Sequence, residues 1–381
     1  MNLLLDAEPR ELSVDGEGRQ LTVTVVRSLC ELAALAEPWR ALHAASAGDS
    51  AFLSWEWLYS WAERFVRGER ELFLIAMFDG TKLVAIAPWY IDRVSHGPVR
   101  AREITFLGLP EAGSDYLDVV TRRGRERQIA RVLTTLLFGP LSSSWDVLNL
   151  RDVPAESAFL ARFIAHIRRS GKHYQIEEGS FCPGVRLPET FDAYLQQLSS
   201  HGRQAYRRKM RTLLANEGVQ HVVLHHDRDM RCGLKTFREL YETRWGKTAT
   251  TEDLFALVEA YHARATAWRI ELSLLRVQER TVAGLLHFTH GRTMCQYLMA
   301  VDRSFNESLS IGHLVCGMNI ACAIKRGFRE YDFLKTEEDY KFRFMTAGRR
   351  SLNLRVHNRT LRSLGSWATR SVSGLAKIVL R

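Results

Sequence analysis

The stretch from Ser310 to Phe344 constrains the fold more than any other part of the 381-residue chain. A turn of small residues at 310–312 opens an apolar run that ends at Gly327, and a short strand follows at 331–334. This order predicts a turn, a helix, a strand and then a polar loop. The free backbone N–H groups at the start of such a helix favour an anion. The loop beyond the strand is a place where functional side chains are often held on a rigid scaffold.

The chain carries a formal net charge of +10, from 53 Lys and Arg against 43 Asp and Glu. A basic balance of this size favours an anionic partner such as a nucleotide cofactor, tRNA, an acidic glycan or a membrane surface. A basic, solvated surface without a special partner is the alternative. The content of 46% hydrophobic and 25% charged residues is ordinary for a globular protein, and the length suits two or three domains.

The six cysteines form no C-x-x-C pair, and no Cys/His spacing resembles a zinc site, so no metal is expected. Most of them lie in apolar runs, which suits buried, reduced thiols. The first 18 residues lack a basic segment followed by a long apolar run, and no apolar stretch is long enough to span a bilayer. We therefore expect a cytoplasmic protein.

Three catalytic motifs are missing from the sequence: the phosphate-binding loop G-x-x-x-x-G-K-[ST], the G-x-S-x-G elbow and H-E-x-x-H. The sequence therefore gives no direct support for chemistry driven by a nucleoside triphosphate, by an elbow serine or by a zinc ion.

The first half reads as a mixed arrangement of helices and antiparallel strands. Residues 1–20 read as a polar, loosely ordered lead-in, and 21–26 as a strand. Residues 29–47 read as helical with an interruption at Pro38, and Asp79-Gly80 is a strong hairpin signal. Helices, hairpin strands and further helix–strand units in this order are typical of a layered α/β fold.

Trp57 belongs to an aromatic stripe with Trp61 and Phe65, at intervals of four residues on one helix face. Such a stripe is typical of a core-facing helix. An aromatic wall of a ligand pocket is the alternative, which makes Trp57 a candidate substrate-binding residue.

The second half begins near Cys182-Pro183-Gly184, which is a break signal. A helix after it places Arg203, Arg207 and Arg211 on one face at intervals of four residues. Guanidinium groups in such a row suit the binding of phosphate or carboxylate, so these three are candidate substrate-binding residues. A solvated helix face is the alternative, although the like charges repel one another.

The segment 361–381 predicts a basic amphipathic helix, with apolar residues on one stripe and Lys and Arg away from it. It suits contact with an anionic membrane surface or packing on its own domain.

Several of these motifs together resemble the acetyltransferase-like domain of GNAT-superfamily proteins of the cellulose-biosynthesis (CelD/BcsL) type. An early Trp57-to-Trp61 element and the basic helix from Arg203 to Arg211 match the family pattern. The remaining matches are Tyr297-Leu298-Met299-Ala300, Ser310-Ile311-Gly312-His313-Leu314, Gly327, Tyr331-Asp332-Phe333-Leu334, Glu337 and Tyr340-Lys341.

Two positions depart from the family pattern. Ile311 stands where proline is usual, and Thr336 stands where glycine is usual. Glycine would allow a positive φ or a close backbone approach to a ligand, which threonine does not, so the loop is expected to be reshaped. The usual coenzyme A loop of two glycines is reduced to Asn306–Gly312 with one glycine before the helix.

The resemblance implies two tandem GNAT-like folds of the α/β (α+β) class, each a mixed, mostly antiparallel sheet flanked by helices. We expect an N-terminal domain at 21–182 and a C-terminal acetyltransferase domain at 183–358, followed by the basic helix at 359–381. The implied activity is transfer of an acetyl or acyl group from coenzyme A to an amine or hydroxyl acceptor. The acceptor would be a small molecule or a polysaccharide or cell-envelope precursor.

Acyl transfer requires a base for the acceptor, donors for the oxyanion and an acid for the leaving group. Glu337 or Asp332 is the candidate base, and Tyr340 is the candidate acid or oxyanion donor. Lys341 and Arg343 are candidates for holding phosphate or an acidic acceptor. Ser310, Gly312 and His313, with the N–H groups after them, form the candidate cofactor cradle. The alternative is a surface helix that begins at Thr336 and carries acidic residues in its first turn.

Two other functions remain open. The tandem arrangement is shared with Fem-type transferases, which use aminoacyl-tRNA, and the basic charge suits tRNA binding. A non-catalytic GNAT-derived module in exopolysaccharide assembly suits the reduced coenzyme A loop, with 361–381 as a peripheral contact at the inner membrane.

Overall fold

The computed structural model describes residues 11–16, 19–96, 99–225, 227–335, 338–360 and 362–363. The chain divides into two compact units, the first formed by Met1–Gly179 with Ser351–Arg381 and the second by Ser180–Arg350. The expected second domain ran to residue 358, whereas the second unit ends at Arg350. The reason is that the last strand pairs, from Ser351 onward, with a strand of the first unit.

Among its described residues, the first unit contains five helices, nine complete strands and parts of two further strands. The helices are α1 (Leu29–Ala34), α2 (Ala36–Ala44), α3 (Trp55–Phe65), α4 (Glu126–Phe138) and α5 (Ala158–Arg169). The strands are β1 (Glu11–Gly16), β2 (Arg19–Val26), β3 (Glu71–Leu72), β4 (Leu74–Asp79), β5 (Lys82–Ala87), β6 (Trp89–His96), β7 (Val99–Phe106), β8 (Val120–Thr121), β9 (Val147–Pro154) and parts of β10 (Tyr174–Arg186) and β16 (Ala347–His357).

The strands of the first unit belong to two sheets. One antiparallel sheet runs β1-β2-β4-β5-β8, and the other strands run β16-β9-β7-β6-β3 with β7 and β9 parallel. The predicted hairpin at Asp79-Gly80 is confirmed: Asp79 pairs with Lys82, and Gly80 has a φ of 58°. Glycine adopts this left-handed conformation without a steric penalty.

Two local features of the first unit differ from the prediction. Part of the loosely ordered lead-in is a strand, because β1 pairs with β2 from Glu11↔Thr24 to Gly16↔Arg19. The interrupted helix at 29–47 is confirmed as two short helices, but the interruption is at Leu35 and not at Pro38. Pro38 lies in the first turn of α2, where a missing backbone N–H breaks no helical hydrogen bond. The remainder of the lead-in, residues 1–10, lies outside the described residues.

The second unit alternates helices with an antiparallel sheet. Its helices are α6 (Phe191–Gln197), α7 (Ser200–Leu214), α8 (Asp227–Trp245), α9 (Ala249–Arg264), α10 (Ile311–Lys325) and α11 (Asp339–Phe342). Its strands are β11 (Val219–Leu224), β12 (Arg269–Val277), β13 (Arg280–His290), β14 (Thr293–Val301) and β15 (Glu330–Asp332), in the order β11-β12-β13-β14-β15-β10.

The predicted turn–helix–strand order at 310–334 is confirmed. The apolar run forms α10, and β14 and β15 on either side of it lie parallel, as a helical crossover requires. Leu314, Val315 and Ile320 on α10 are buried against Tyr331 of β15 and Tyr206 of α7. The α/β class, with a mostly antiparallel sheet and flanking helices in each unit, is therefore confirmed.

Candidate active site

A cavity of the second unit opens beside the start of α10, with a volume of about 870 Å³. This is within the range of small-molecule sites. Its basic lining residues are Lys209, Arg244, Arg303 and Arg343, its acidic ones are Asp302 and Glu307, and Ser310, Gly312, His313 and Tyr340 also line it. We call it the α10 cavity. Its charged lining residues are predominantly basic, which favours an anionic ligand.

The first turn of α10 provides the anion-binding end of this cavity. Ser310 precedes the helix with φ 53° and ψ 60°, and its side chain does not cap the helix. The Ser310 Oγ instead accepts a hydrogen bond from Lys209 Nζ at 2.6 Å. A helix of 15 residues begins there, so its dipole and free N–H groups add positive potential to that of the ammonium group.

Lys209 reaches Ser310 because α7 approaches α10 closely. Gly317 of α10 faces the Tyr206 ring, and a Cβ at Gly317 would lie 2.3 Å from Tyr206 Cε2. Such a distance is not compatible with any side chain, so this approach requires glycine at 317. Lys209 follows Tyr206 by three residues and therefore lies on the neighbouring turn of α7.

His313 is held neutral in the cavity. Burial, with the nearby charges of Lys209 and Arg343, lowers the pKa of His313 to about 4. Its ring stacks on Phe344 with a centroid distance of 4.4 Å and meets Tyr206 edge-on at 5.8 Å. The imidazole is thus uncharged at neutral pH and fixed by two aromatic rings.

Tyr340 presents a phenol that keeps its proton. Burial, together with Cys316 and Glu338, raises the pKa of Tyr340 above its usual range. The Tyr340 Oη accepts a hydrogen bond from Gln296 Nε2 at 3.2 Å. Because the oxygen lone pair receives the amide N–H, the phenol donates its own proton elsewhere, and the Glu338 carboxylate is its hydrogen-bond partner in this structure.

A buried chain of side chains fixes the orientation of the Gln296 amide. Gln296 Oε1 accepts a hydrogen bond from the Tyr331 hydroxyl at 2.9 Å and from Cys316 Sγ at 3.5 Å. Burial raises the pKa of Cys316 to about 12, so the thiol keeps its proton. The Tyr331 Oη is in turn 2.9 Å from His287 Nε2. Since Tyr331 donates to Gln296, His287 is the donor of this last hydrogen bond.

His287 ends the chain in the interior. Burial lowers the pKa of His287 to about 3, so the ring stays neutral. Its Nδ1 is buried without a hydrogen-bond partner among the residues that the structure describes. Each hydrogen bond in this chain is therefore donated towards the cavity. His287 donates to Tyr331, Tyr331 donates to Gln296, and Gln296 donates to Tyr340 at the cavity.

Five of the predicted site residues line the α10 cavity together: Ser310, Gly312, His313, Tyr340 and Arg343. Lys341, which was predicted to hold phosphate, is 7% exposed. Its ammonium group donates to the Phe333 carbonyl at 3.0 Å and lies 3.4 Å from a carboxylate oxygen of Glu338. Lys341 therefore connects α11 and Glu338, which precedes it, to Phe333, which directly follows β15.

Asp332 does not share the cavity of Tyr340. Its carboxylate accepts a hydrogen bond from the Leu334 N–H at 2.7 Å and lies 3.4 Å from Arg349. It lines a second, smaller cavity instead. The other candidate base, Glu337, and the altered position Thr336 lie outside the described residues. The described helix at this point is α11, preceded by Glu338.

The predicted arginine row of α7 does not line the α10 cavity. Arg203 donates to the carbonyl oxygens of Leu195 and Gln196 at the end of α6, at 3.4 and 3.5 Å. Arg207 forms an ion pair with Asp192 at 3.0 Å. Arg211 is exposed.

Trp57 is fully buried in the core of the first unit, where its Nε1 donates to Ser114 Oγ at 2.9 Å. The core interpretation of its aromatic stripe therefore agrees with its position.

Sequence reasoning missed Lys209, Gln296 and His287. Lys209 was recognised only as flanking the arginine row. The regular spacing of four residues indicates the face of α7 that carries Arg203, Arg207 and Arg211, and that face does not line the cavity. Gln296 and His287 lie within β14 and β13 and carry no motif that separates them from ordinary strand residues.

Two further features concern the described residues alone. No group of three or more His, Cys, Asp or Glu side chains among them is arranged to hold a metal ion. Across the same residues, no helix combines the length and apolarity needed to cross a membrane.

The comparisons with known proteins bear on this unit first. Residues 200–342 match the family model of the acetyltransferase (GNAT) domain, a range that contains Lys209, Gln296 and Tyr340. No curated protein matches the sequence.

Two solved structures share the fold over most of the chain. A structure of FemX matches with a TM-score of 0.56 and 13% identity, over 87% of this chain and 98% of that one. A conserved protein of unknown function from Bacteroides thetaiotaomicron VPI-5482 matches with a TM-score of 0.52 and 12% identity, over 88% and 100%. At these identities the likeness concerns the fold alone. Residues 200–342 of this chain are therefore similar in sequence to the acetyltransferase (GNAT) domain, and the longer fold that contains them is similar to that of FemX.

Proposed function

We propose that the chain transfers an acetyl or acyl group from a coenzyme A thioester to an amine or hydroxyl acceptor, with the reaction in the α10 cavity. The observation that carries this proposal is that one cavity contains both a basic end, which suits the phosphates of a donor, and a phenol that can donate a hydrogen bond at the reacting group. Lys209, Arg343 and the start of α10 form a basic end, and the proton-bearing phenol of Tyr340 lies in the same cavity. The match to the acetyltransferase (GNAT) domain supports the same reaction class.

The basic end suits the phosphates of an acyl donor. Lys209 and Arg343 supply cationic donors, and the N–H groups after Ser310 supply the helix-terminal donors that phosphates favour. A Cβ at Gly312 would lie 3.3 Å from Val301 Cγ2, and since Val301 also lines the cavity, a larger side chain at 312 would take up space in it. The cavity of about 870 Å³ is large enough for more than the phosphates of the donor.

The chemical steps follow from the hydrogen bond in which Tyr340 accepts from Gln296, because this leaves the phenol to donate its own proton. The acceptor nitrogen or oxygen attacks the thioester carbonyl carbon, and the Tyr340 phenol donates a hydrogen bond to the carbonyl oxygen as its negative charge develops. The raised pKa of Tyr340 suits this role, because the phenol stays protonated throughout the reaction. The acceptor's own proton goes to Glu337 or to water, the C–S bond breaks, and the leaving sulfur takes up a proton from water.

The acceptor class is a further part of the proposal. The sequence resemblance to CelD/BcsL-type proteins supports a polysaccharide or cell-envelope precursor, or another small molecule. A cytoplasmic location and peripheral membrane contact through 361–381 remain predictions, and that segment lies outside the described residues except for 362 and 363.

Aminoacyl transfer from tRNA, as in Fem-type transferases, is the second candidate. The fold likeness to FemX supports it, as does the exposed basic face of α7 formed by Arg207, Arg208 and Arg211. Binding through such a face would weaken steeply as the salt concentration rises.

The experiment that separates these functions is a thermal-shift and calorimetric titration with acetyl-coenzyme A, a long-chain acyl-coenzyme A and bulk aminoacyl-tRNA. A ligand that binds the folded state raises the melting temperature. A shift with a coenzyme A thioester supports the first proposal, and a shift with tRNA alone replaces it with the second. The absence of any shift contradicts both and favours a non-catalytic module.

A matched pair of variants locates the binding site. Lys209→Met removes the ammonium group of the α10 cavity, whereas Arg208→Met removes an exposed neighbour that does not line it. We expect the first to weaken binding of the coenzyme A ligand roughly tenfold or more, because a charge-assisted hydrogen bond contributes about 1.5–3 kcal/mol. Equal effects of the two variants would contradict the placement.

A further inference from the structure

A second cavity of the second unit, with a volume of about 380 Å³, lies on the opposite face of the sheet from α10. The alternation of side chains along β15 shows on which face of the sheet this cavity lies. Tyr331 points into the core with α10, whereas Glu330 and Asp332 on either side of it line the second cavity. On β10, Arg186 lines the cavity together with Gly184 and Val185, and Val185 also belongs to the core with α10.

Four arginines and two carboxylates line this cavity: Arg186, Arg292, Arg329, Arg349, Glu330 and Asp332. We call it the arginine cavity. The strand register brings its basic residues together. Arg186 pairs with Glu330 across β10 and β15, and the Arg329 N–H donates to the Arg292 carbonyl at 2.8 Å. The guanidinium groups therefore start from neighbouring positions at one end of three adjacent strands.

The two carboxylates are already engaged by one arginine. Arg349 lies 2.6 Å from Glu330 and 3.4 Å from Asp332. Arg186, Arg292 and Arg329 form no ion pair within the described part of the chain. These three exposed arginines lie in a cavity whose two carboxylates are engaged by Arg349, and an anion among them would reduce their mutual repulsion.

We propose that the arginine cavity is a binding site for a small molecule that carries phosphate groups. Guanidinium groups donate two parallel hydrogen bonds to phosphate oxygens, and several of them converging on one cavity suit a diphosphate better than a single carboxylate. The volume is at the lower end of the range for small-ligand sites, which limits the ligand to a compact molecule. This site is distinct from the α10 cavity and does not rest on the acyltransferase proposal.

The test is a calorimetric titration with inorganic diphosphate in a phosphate-free buffer. The double variant Arg186→Gln/Arg292→Gln removes two cations from the cavity. Its matched control, Arg231→Gln/Arg269→Gln, removes two exposed arginines of the same unit that lie elsewhere. We expect the first variant to weaken binding at least about tenfold and the control to change it less than about twofold.

A third variant excludes the other phosphate-binding candidate. Lys209→Gln alters the α10 cavity only, so diphosphate binding to the arginine cavity should be unchanged. Melting temperatures check that each variant folds, and Arg329→Gln alone repeats the comparison if the double variant is unstable. The proposal is overturned if the wild-type chain does not bind diphosphate, if control and double variant weaken binding equally, or if Lys209→Gln abolishes it.

Discussion

Gln296 Nε2 donates a hydrogen bond to the Tyr340 hydroxyl oxygen at 3.2 Å, and this contact sets the direction in which the phenol can act. The amide cannot reverse its orientation without losing two other hydrogen bonds, because its oxygen accepts from Tyr331 and Cys316. Tyr340 is thus restricted to donating its proton away from the core.

Replacing Tyr340 with phenylalanine should lower kcat by about 10²- to 10³-fold, the usual contribution of one hydrogen-bond donor to an oxyanion, with little change in KM. Steady-state kinetics with the donor identified by titration measure this effect. Tyr297→Phe is the control, since Tyr297 lies one residue from Gln296 on β14 and does not line the cavity. Unchanged kcat in Tyr340→Phe would remove Tyr340 from the mechanism.

Gln296→Met should lower kcat about fivefold, because Tyr340 loses the contact that orients its proton, a net hydrogen bond of roughly 1 kcal/mol. Tyr331→Phe is the comparison. It breaks the same buried chain but leaves the Gln296–Tyr340 contact intact. If the two variants lower both kcat and melting temperature in parallel, the role of Gln296 is structural only.

The stability of the second unit should fall as the pH decreases from about 6.5 towards 4. The pKa of His313 is about 4 in the folded chain, below its ordinary value of 6.5. The unfolded chain therefore takes up this proton first, and stability decreases by up to about 1.4 kcal/mol per pH unit in that window. Above pH 6.5 His313 contributes no pH dependence.

The measurement is the free energy of unfolding in urea at pH 7 and pH 5, for the wild-type chain and His313→Gln. The variant should lose about 2 kcal/mol less between these two values, because the slope of one titrating group is absent. His287, with a pKa of about 3, contributes equally to both proteins and is no source of difference. An identical pH dependence in the two proteins contradicts the burial of a neutral His313.

Gly317→Ala should destabilise the second unit by about 1–3 kcal/mol, because the added Cβ would overlap the Tyr206 ring. It should also weaken ligand binding, since moving α7 displaces Lys209. Thermal melting and the coenzyme A titration measure the two effects. The double variant Gly317→Ala/Tyr206→Leu relieves the overlap and should recover part of the stability. No recovery would show that another contact causes the loss.

Local features of the fold were predictable from the sequence. The Asp79-Gly80 hairpin and helix α10 depend on residues close in the chain, so turn chemistry and apolar patterning indicate them. The strand β1 was missed because its signal is weak and its partner β2 stabilises it. The break at Leu35 was misplaced because a proline in a first turn is compatible with a helix.

The composition of the site was harder to predict. Asp332 and Tyr340 are close in sequence, yet they line different cavities, because Asp332 lies on β15 on the opposite side from Tyr331, whereas Tyr340 lies on α11. The alternation of side chains along β15 places Asp332 on that side. This alternation is a signal that the sequence contains. The contacts of Arg203 and Arg207 with α6 depend on how two helices pack, which spacing within α7 does not indicate. The same holds for Lys209 and Ser310, which are 101 residues apart.

The hydrogen bond between Lys209 and Ser310 has a consequence for the entropy of binding. A free lysine side chain loses about 0.5–1.5 kcal/mol of conformational freedom when a ligand immobilises it. Lys209 is already held by a neutral hydroxyl at the position where an anion would arrive. An arriving anion therefore exchanges one acceptor for a stronger, charged one, and the cost of ordering this side chain has been met during folding.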